Sequence, residues 1–231
     1  SKVQILKQNS MQLQAYFNHS QLKPVATKKD IIQLCKEAKQ YKLYSVCVNS
    51  CNVLSAKSYL NKSDVKVCST VGFPFGASST RAKVMEAKKA IEDGADEIEM
   101  VINLGMLKSR NYVGVYKDIR DVKLAIDKKP LKVIIEISEL SKNEILRVCQ
   151  ICIDARADFI KTSTGFSKSG ATLTAVKMIK KTVKGQLKIE ASGNIGSIDT
   201  VLKHIGSGAD RIGTSHSVNS MEEIIHEQIE A

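Results

Sequence analysis

The stretch 158-DFIKTSTGF-166 carries the first residue whose placement calls for chemistry. Phe159 and Ile160 have the apolar character of a buried strand. Lys161 continues that strand and precedes a small, hydroxyl-rich turn, Thr162-Ser163-Thr164-Gly165. Lysine is almost never fully buried unless it is paired. At such a position it has three roles open to it: ion-pair partner, phosphate ligand or amine nucleophile. The last requires the neutral amine, which burial and nearby positive charge favour and which can attack a carbonyl to form a Schiff base.

Other β-prone runs also end in residues that an apolar core does not need, among them Asn18, Asn49, Glu97, Glu99, Asn103, Glu136, Glu190 and Ser215. Ion pairs that cancel one another inside a barrel account for such residues as well as catalysis does. Three successive runs end in small residues: Ser163-Thr164-Gly165, Ser192-Gly193-Asn194 and Gly213-Thr214-Ser215. Small side chains leave backbone N–H groups open to an anion, and helix N-termini behind them add a positive dipole, so this quarter suits a phosphate.

The elements that must position these residues show in the period of the chain. The segments 94-GADEIEMVIN, 156-RADFIKTSTG and 208-GADRIGTSHS repeat one unit, an Ala-Asp joint after a helical stretch and before a strand. Strand candidates fall at 16–20, 43–49, 65–73, 97–103, 131–138, 158–164, 187–192 and 210–215. Amphipathic stretches such as KKDIIQLCKEAKQY and KNEILRVCQICIDAR separate them. Strands alternating with helices predict parallel pairing, and eight such units predict an α/β fold, a (β/α)8 barrel over residues 1–231 with a helical lead-in at about 1–14. A doubly wound sheet is the other option, weakened because no GxGxxG follows the first strand. In a barrel the chemistry sits at the C-terminal strand ends, where these polar residues fall.

Bulk composition narrows the function. The chain has 231 residues, 43% hydrophobic and 26% charged, which is enough for one sizeable core. No apolar run reaches the ~18 residues of a membrane span, and SKVQILKQNS has no signal-peptide core, so a cytoplasmic protein without membrane contact is expected. The net charge of +11 sits on lysines spread at helical spacing, without Trp and with 5% aromatics, which disfavours nucleic acid and suits an anionic small substrate. Cys35, Cys47, Cys51, Cys68, Cys149 and Cys152 are scattered through apolar runs, and Cys149 and Cys152 read as core-facing thiols on adjacent helical turns. No metal is expected.

The residues in order resemble the deoxyribose-phosphate aldolase family. HSQLKPVAT (19–27), VCVNS (46–50), VCSTVGFPFGAS (67–78), GADEIEMVINLGMLKS (94–109), LKVIIEISEL (131–140), ADFIKTSTGF (157–166), ASGNI (191–195) and GADRIGTS (208–215) are each similar to a segment of the family pattern. The resemblance implies a class I aldolase on a (β/α)8 barrel. Such an enzyme cleaves 2-deoxyribose 5-phosphate reversibly to acetaldehyde and glyceraldehyde 3-phosphate without metal or organic cofactor. It makes Lys161 the Schiff-base lysine, places Asn18, Glu99 and Glu190 at the relay positions, and assigns the phosphate to Thr164, Gly165, Ser192, Gly193, Ser215 and His216. A monomer or homodimer acting on a phosphorylated small molecule is expected.

The chain departs from the family pattern at the site itself. Asn18 and Glu99 stand where the family has aspartates, and Glu190 stands where it has a lysine beside Lys161. Asn194 and Gly196 replace a glycine and an arginine, Ser217 replaces a glycine, and a C-terminal tyrosine common in the family is missing. At pH 7 only about one ordinary lysine in 2,500 is neutral. A second ammonium would raise that fraction, whereas a carboxylate within ~4–6 Å lowers it. Two compensations are open: Glu99 and Glu190 sharing a proton, or Lys188 acting from a deeper layer. Three readings follow. The chain is a working aldolase with a rearranged relay, an impaired member serving as a binding or structural protein with an unknown protein partner, or a Schiff-base enzyme for another carbonyl compound.

Overall fold

The computed structural model describes residues 13–229. The expected helical lead-in at about 1–14 lies outside the described residues except at its end, where a 3-10 turn, Gln14–Tyr16, enters the first strand. All eight expected strands are present: β1 (Phe17–Gln21), β2 (Ser45–Val48), β3 (Lys66–Val71), β4 (Glu97–Val101), β5 (Leu131–Ile134), β6 (Phe159–Lys161), β7 (Lys188–Ser192) and β8 (Arg211–Thr214). β1 keeps the length of its run, shifted by one residue, and the other seven are shorter than the runs that marked them, because pairing stops where the chain peels off into a loop. Every neighbouring pair is parallel, and β8 returns to pair with β1, so the sheet closes in chain order into a (β/α)8 barrel without edges. A doubly wound sheet is thereby excluded.

The helices are α1 (Lys28–Gln40), α2 (Val53–Tyr59), α3 (Thr80–Glu92), α4 (Leu104–Lys108), α5 (Tyr112–Ala125), α6 (Lys142–Asp154), α7 (Leu173–Val183), α8 (Ile198–Gly206) and α9 (Ser217–Ile229). Their starts are written locally. Thr27 with Asp30, and Ser141 with Glu144, form capping boxes at α1 and α6. Cys149 and Cys152 are buried free thiols on the inner face of α6.

The repeated Ala-Asp joints form a shared device. The residue before each joint, Gly94, Arg156 or Gly208, has φ of +104°, +59° or +113° and ends its helix in the left-handed region. The aspartate then reaches sideways to the preceding strand. Asp96 accepts from the Val67 N–H at 3.0 Å, Asp158 from Leu131 at 2.8 Å and Asp210 from Ile189 at 2.9 Å. Each joint thus locks β4, β6 or β8 in register with its neighbour, which fixes the height at which Glu99, Lys161 and Gly213 emerge.

Alternation along the strands sorts residues into two compartments. Val46, Ile98, Met100, Val133, Ile160, Ile189 and Ile212 face the helices and form the buried apolar layer. Their neighbours Asn18, Ser45, Cys47, Cys68, Glu99, Lys132, Lys161 and Glu190 face the barrel axis, where they bond to one another.

Candidate active site

Lys161 ends β6, opposite Glu190 on β7 in the register. Its Nζ lies 2.8 and 3.0 Å from the two oxygens of Glu99 and 3.2 Å from Glu190 Oε1. Asn18 joins the two carboxylates, its amide donating to Glu190 at 3.0 Å and reaching Glu99 at 3.5 Å. Lys161 and the three residues expected at relay positions therefore form one buried cluster. Gly213 makes room for it, since a Cβ there would fall 2.6 Å from Glu190 Oε1 and 3.3 Å from Lys161 Nζ.

A fifth member comes from β5. Lys132, fully buried, puts its Nζ 2.7 Å from Glu190 Oε2 and 2.9 Å from Glu97 Oε2. Glu97, at the start of β4 and not its C-terminal end, also accepts from the Tyr44 hydroxyl at 2.7 Å. Two amines thus face three carboxyl groups. Burial works to lower the Lys161 pKa, but the Glu99 and Glu190 carboxylates outweigh it and hold the pKa raised. Burial likewise works to raise Glu190, but Lys132, Lys161 and the Asn18 amide bring it down to about 2. The arrangement holds Lys161 as an ammonium ion, and an amine attacks a carbonyl only in its neutral form.

Neither compensation read from the sequence is favoured by the geometry. Lys132 and Lys161 draw Glu190 toward its charged form, which works against a proton shared with Glu99. Lys188 is exposed at the foot of β7, its Nζ 5.6 Å from the Phe159 ring, and the deeper cation is Lys132 instead. Sequence reading missed Lys132. The signal was present, because a lysine among Leu131, Val133 and Ile134 is the same anomaly that singled out Lys161.

Above the cluster opens a cavity of about 930 Å³, with Lys161 in its lining. Thr164, Gly165, Ser192, Gly193, Ser215 and His216 all line it. Two of these are scaffold as well as wall. The Thr164 hydroxyl bonds Glu136 and accepts from the Phe166 N–H at 3.0 Å, while Ser192 Oγ donates to the Ser163 carbonyl at 2.7 Å. Gly165, Gly193, Ser215 and His216 present the open surface. Gly193, at φ +84°, packs against Gly170 so closely that a Cβ on it would fall 2.7 Å from the Gly170 Cα. Asn194 follows in the left-handed region at φ +60°.

Glu136 holds its backbone at φ +53° and braces the Thr164 amide and hydroxyl, and burial pushes its carboxyl up. Asn49 and Asn103 serve the scaffold: Asn49 donates to the Leu22 carbonyl at 3.3 Å and Asn103 caps α4. The β1–α1 side of the wall also went unread; there His19 Nε2 meets Glu37 Oε2 at 2.7 Å. Among the described residues, no helix is long and apolar enough to cross a membrane.

A closed barrel with a lysine–carboxylate cluster at its C-terminal strand ends, below a cavity walled by small residues, defines the class: a (β/α)8 protein with a polar centre where barrels of this kind carry their chemistry. A family model described as DeoC/LacD family aldolase matches residues 10–212. The deoxyribose-phosphate aldolase of Thermococcus gammatolerans is 49% identical over 216 residues, covering 92% of this chain and 96% of that protein. That of Finegoldia magna is 49% identical over 212 residues, covering 92% of this chain and 100% of the relative. Among solved structures, QR15, an aldolase, superposes with a TM-score of 0.91 at 39% identity, covering 95% of this chain and 98% of that one. The tetrameric deoxyribose phosphate aldolase of Aeropyrum pernix gives 0.87 at 29% identity, covering 97% and 98%. This chain belongs to the DeoC/LacD aldolase family.

Proposed function

We propose that the chain binds 2-deoxyribose 5-phosphate and cleaves it reversibly to acetaldehyde and glyceraldehyde 3-phosphate through a Schiff base on Lys161, at a rate throttled by Glu190. The observation that carries this reading is the position of Lys161: its amine enters the cavity from below, beside a wall built from Gly165, Gly193 and Ser215. A phosphate held on that wall, with the N-termini of α8 and α9 behind it, leaves the sugar carbonyl to reach toward the lysine. The throttle is electrostatic. Glu190 Oε1 at 3.2 Å and Glu99 at 2.8 Å keep the resting amine protonated, so attack waits on the small neutral fraction.

A second reading, an impaired member that binds phosphosugars without turning them over, is favoured by one specific feature. Glu190 is held by Lys132 as well as Lys161, so its charge is anchored and does not yield easily to substrate. Borohydride reduction in the presence of deoxyribose 5-phosphate, followed by peptide mapping, separates the two. We expect an adduct on Lys161 whose yield climbs from pH 7.5 to 9.5. No adduct at any pH, with phosphate-dependent binding retained, selects the second reading. Neither adduct nor binding removes both.

A further inference from the structure

Two thiols bond the same Glu99 carboxylate that Lys161 holds. Cys47 and Cys68 are direct partners across β2 and β3. Cys47 Sγ donates to Glu99 Oε1 at 3.0 Å and Cys68 Sγ to Glu99 Oε2 at 3.6 Å. All three side chains are buried, and one ligating atom from each lies within 4.8 Å of the others. From these positions we infer that Cys47, Cys68 and Glu99 form a binding site for a thiophilic divalent cation of the Zn²⁺ type, one that competes with the Lys161 ammonium for Glu99.

The dimensions suit such an ion. With Zn–S near ~2.3 Å and Zn–O near ~2.1 Å, a tetrahedral centre sets its two sulfurs about 3.8 Å apart and each sulfur about 3.6 Å from the oxygen. Cys47 Sγ lies 3.0 Å from Oε1 and Cys68 Sγ 3.6 Å from Oε2, and with one ligating atom of each residue within 4.8 Å of the others, a shift of about 1 Å or less gathers them to these distances. Two thiolates with one carboxylate also form a donor set that prefers Zn²⁺ to Mg²⁺ or Ca²⁺. A cysteine ligates such an ion as its thiolate. Binding therefore expels the two thiol protons and tightens as pH rises. The way in passes the Lys161 amine, which lines the cavity and sits 2.8 and 3.0 Å from the Glu99 oxygens. Cation and ammonium cannot both hold that carboxylate at full strength, so occupancy couples to the state of the lysine. No aldolase activity is needed for this site, so its test stands apart from the proposed reaction.

Cd²⁺ titration of the reduced, anaerobic protein is the test, followed by the thiolate-to-cadmium charge-transfer band. The background is a Cys51→Ser, Cys149→Ser, Cys152→Ser variant, which removes the exposed thiol and the helical pair. We expect saturation at one equivalent in wild type and background alike, and loss of the band on adding Cys68→Ser. Lys161→Met removes the competing charge and tightens binding about tenfold or more. Should Cys68→Ser fail to fold, X-ray absorption on the zinc-loaded background, with two sulfur neighbours expected, replaces it. A band that survives Cys68→Ser, one that vanishes in the background, a zinc shell without two sulfurs, or unchanged affinity in Lys161→Met overturns the site.

Discussion

Lys132 and Lys161 share one carboxylate, Lys132 on Glu190 Oε2 at 2.7 Å and Lys161 on Oε1 at 3.2 Å. The centre of the barrel therefore has a second ammonium, but Glu190 stands between it and the lysine it would activate.

Neutralising that carboxylate should release the amine. Removing a charge at this distance moves a lysine pKa by about 1–3 units. In Glu190→Gln, borohydride-trapped adduct on Lys161 is expected to form about tenfold faster or more at pH 7.5. Glu190→Lys should act in the same direction, provided it folds. In wild type the trapping rate should climb about tenfold per pH unit between 7 and 9, since the neutral fraction of a high-pKa amine does so. A flat profile in wild type, or an unchanged rate in Glu190→Gln, would sink the throttle.

The same charge should make the fold acid-sensitive. The folded value of Glu190 is about 2, below the ordinary carboxylate value, so its contribution is fully present above pH ~4.3 and is lost as pH falls toward 2. A depression of that size corresponds to about 3 kcal/mol. Melting temperatures of wild type and Glu190→Gln should lie well apart at pH 7 and converge below pH ~4. Parallel curves across that window would count against the assignment.

Gly213 tests the space around the pair. In Gly213→Ala the new methyl would lie 2.6 Å from Glu190 Oε1 and 3.1 Å from the Ser192 Cβ. Forcing that room should cost about 1–3 kcal/mol, readable by denaturant melts, and should alter the pH profile of Lys161 trapping. Wild-type stability would show that the barrel yields there without strain.

At the proposed phosphate wall, Gly196 lines the cavity and a Cβ built on it meets nothing within 4 Å. Gly196→Arg puts a guanidinium where the family pattern has an arginine, and bidentate pairing with phosphate is strong. Inorganic phosphate or deoxyribose 5-phosphate should bind about tenfold tighter in calorimetry, with the gain shrinking in high salt. Equal affinity for the two proteins would place the phosphate elsewhere.

Much of the fold was legible because its signals are local. Apolar periodicity marked all eight strands and several of the helices between them, and the Ala-Asp joints marked the repeating unit. Strand ends were harder to read: 158–164 contracts to Phe159–Lys161 because the hydroxyls of Thr162, Thr164 and Ser192 stitch the following residues into a loop instead of a ladder. Lys161, Glu99, Glu190 and Asn18 could be named from the resemblance, since each lies in or directly beside an ordered motif. Lys132 shows the same anomaly of a lysine in an apolar run, but nothing in LKVIIE says which neighbour it meets.

The sequence by itself determined the alternation that turns Asn18, Glu99, Lys132, Lys161 and Glu190 inward, because side-chain direction along a strand is a two-residue property. It also determined that position 190 carries a carboxylate and not an amine. Only the tertiary structure decided the pairings, which join residues as far apart as Asn18 and Glu190 across a closed sheet. Closure and register bring Lys132 to one oxygen of Glu190 and Lys161 to the other, and set Cys47 and Cys68 against the carboxylate of Glu99. Charge balance depends on distances between strands, and those exist only once the barrel has closed.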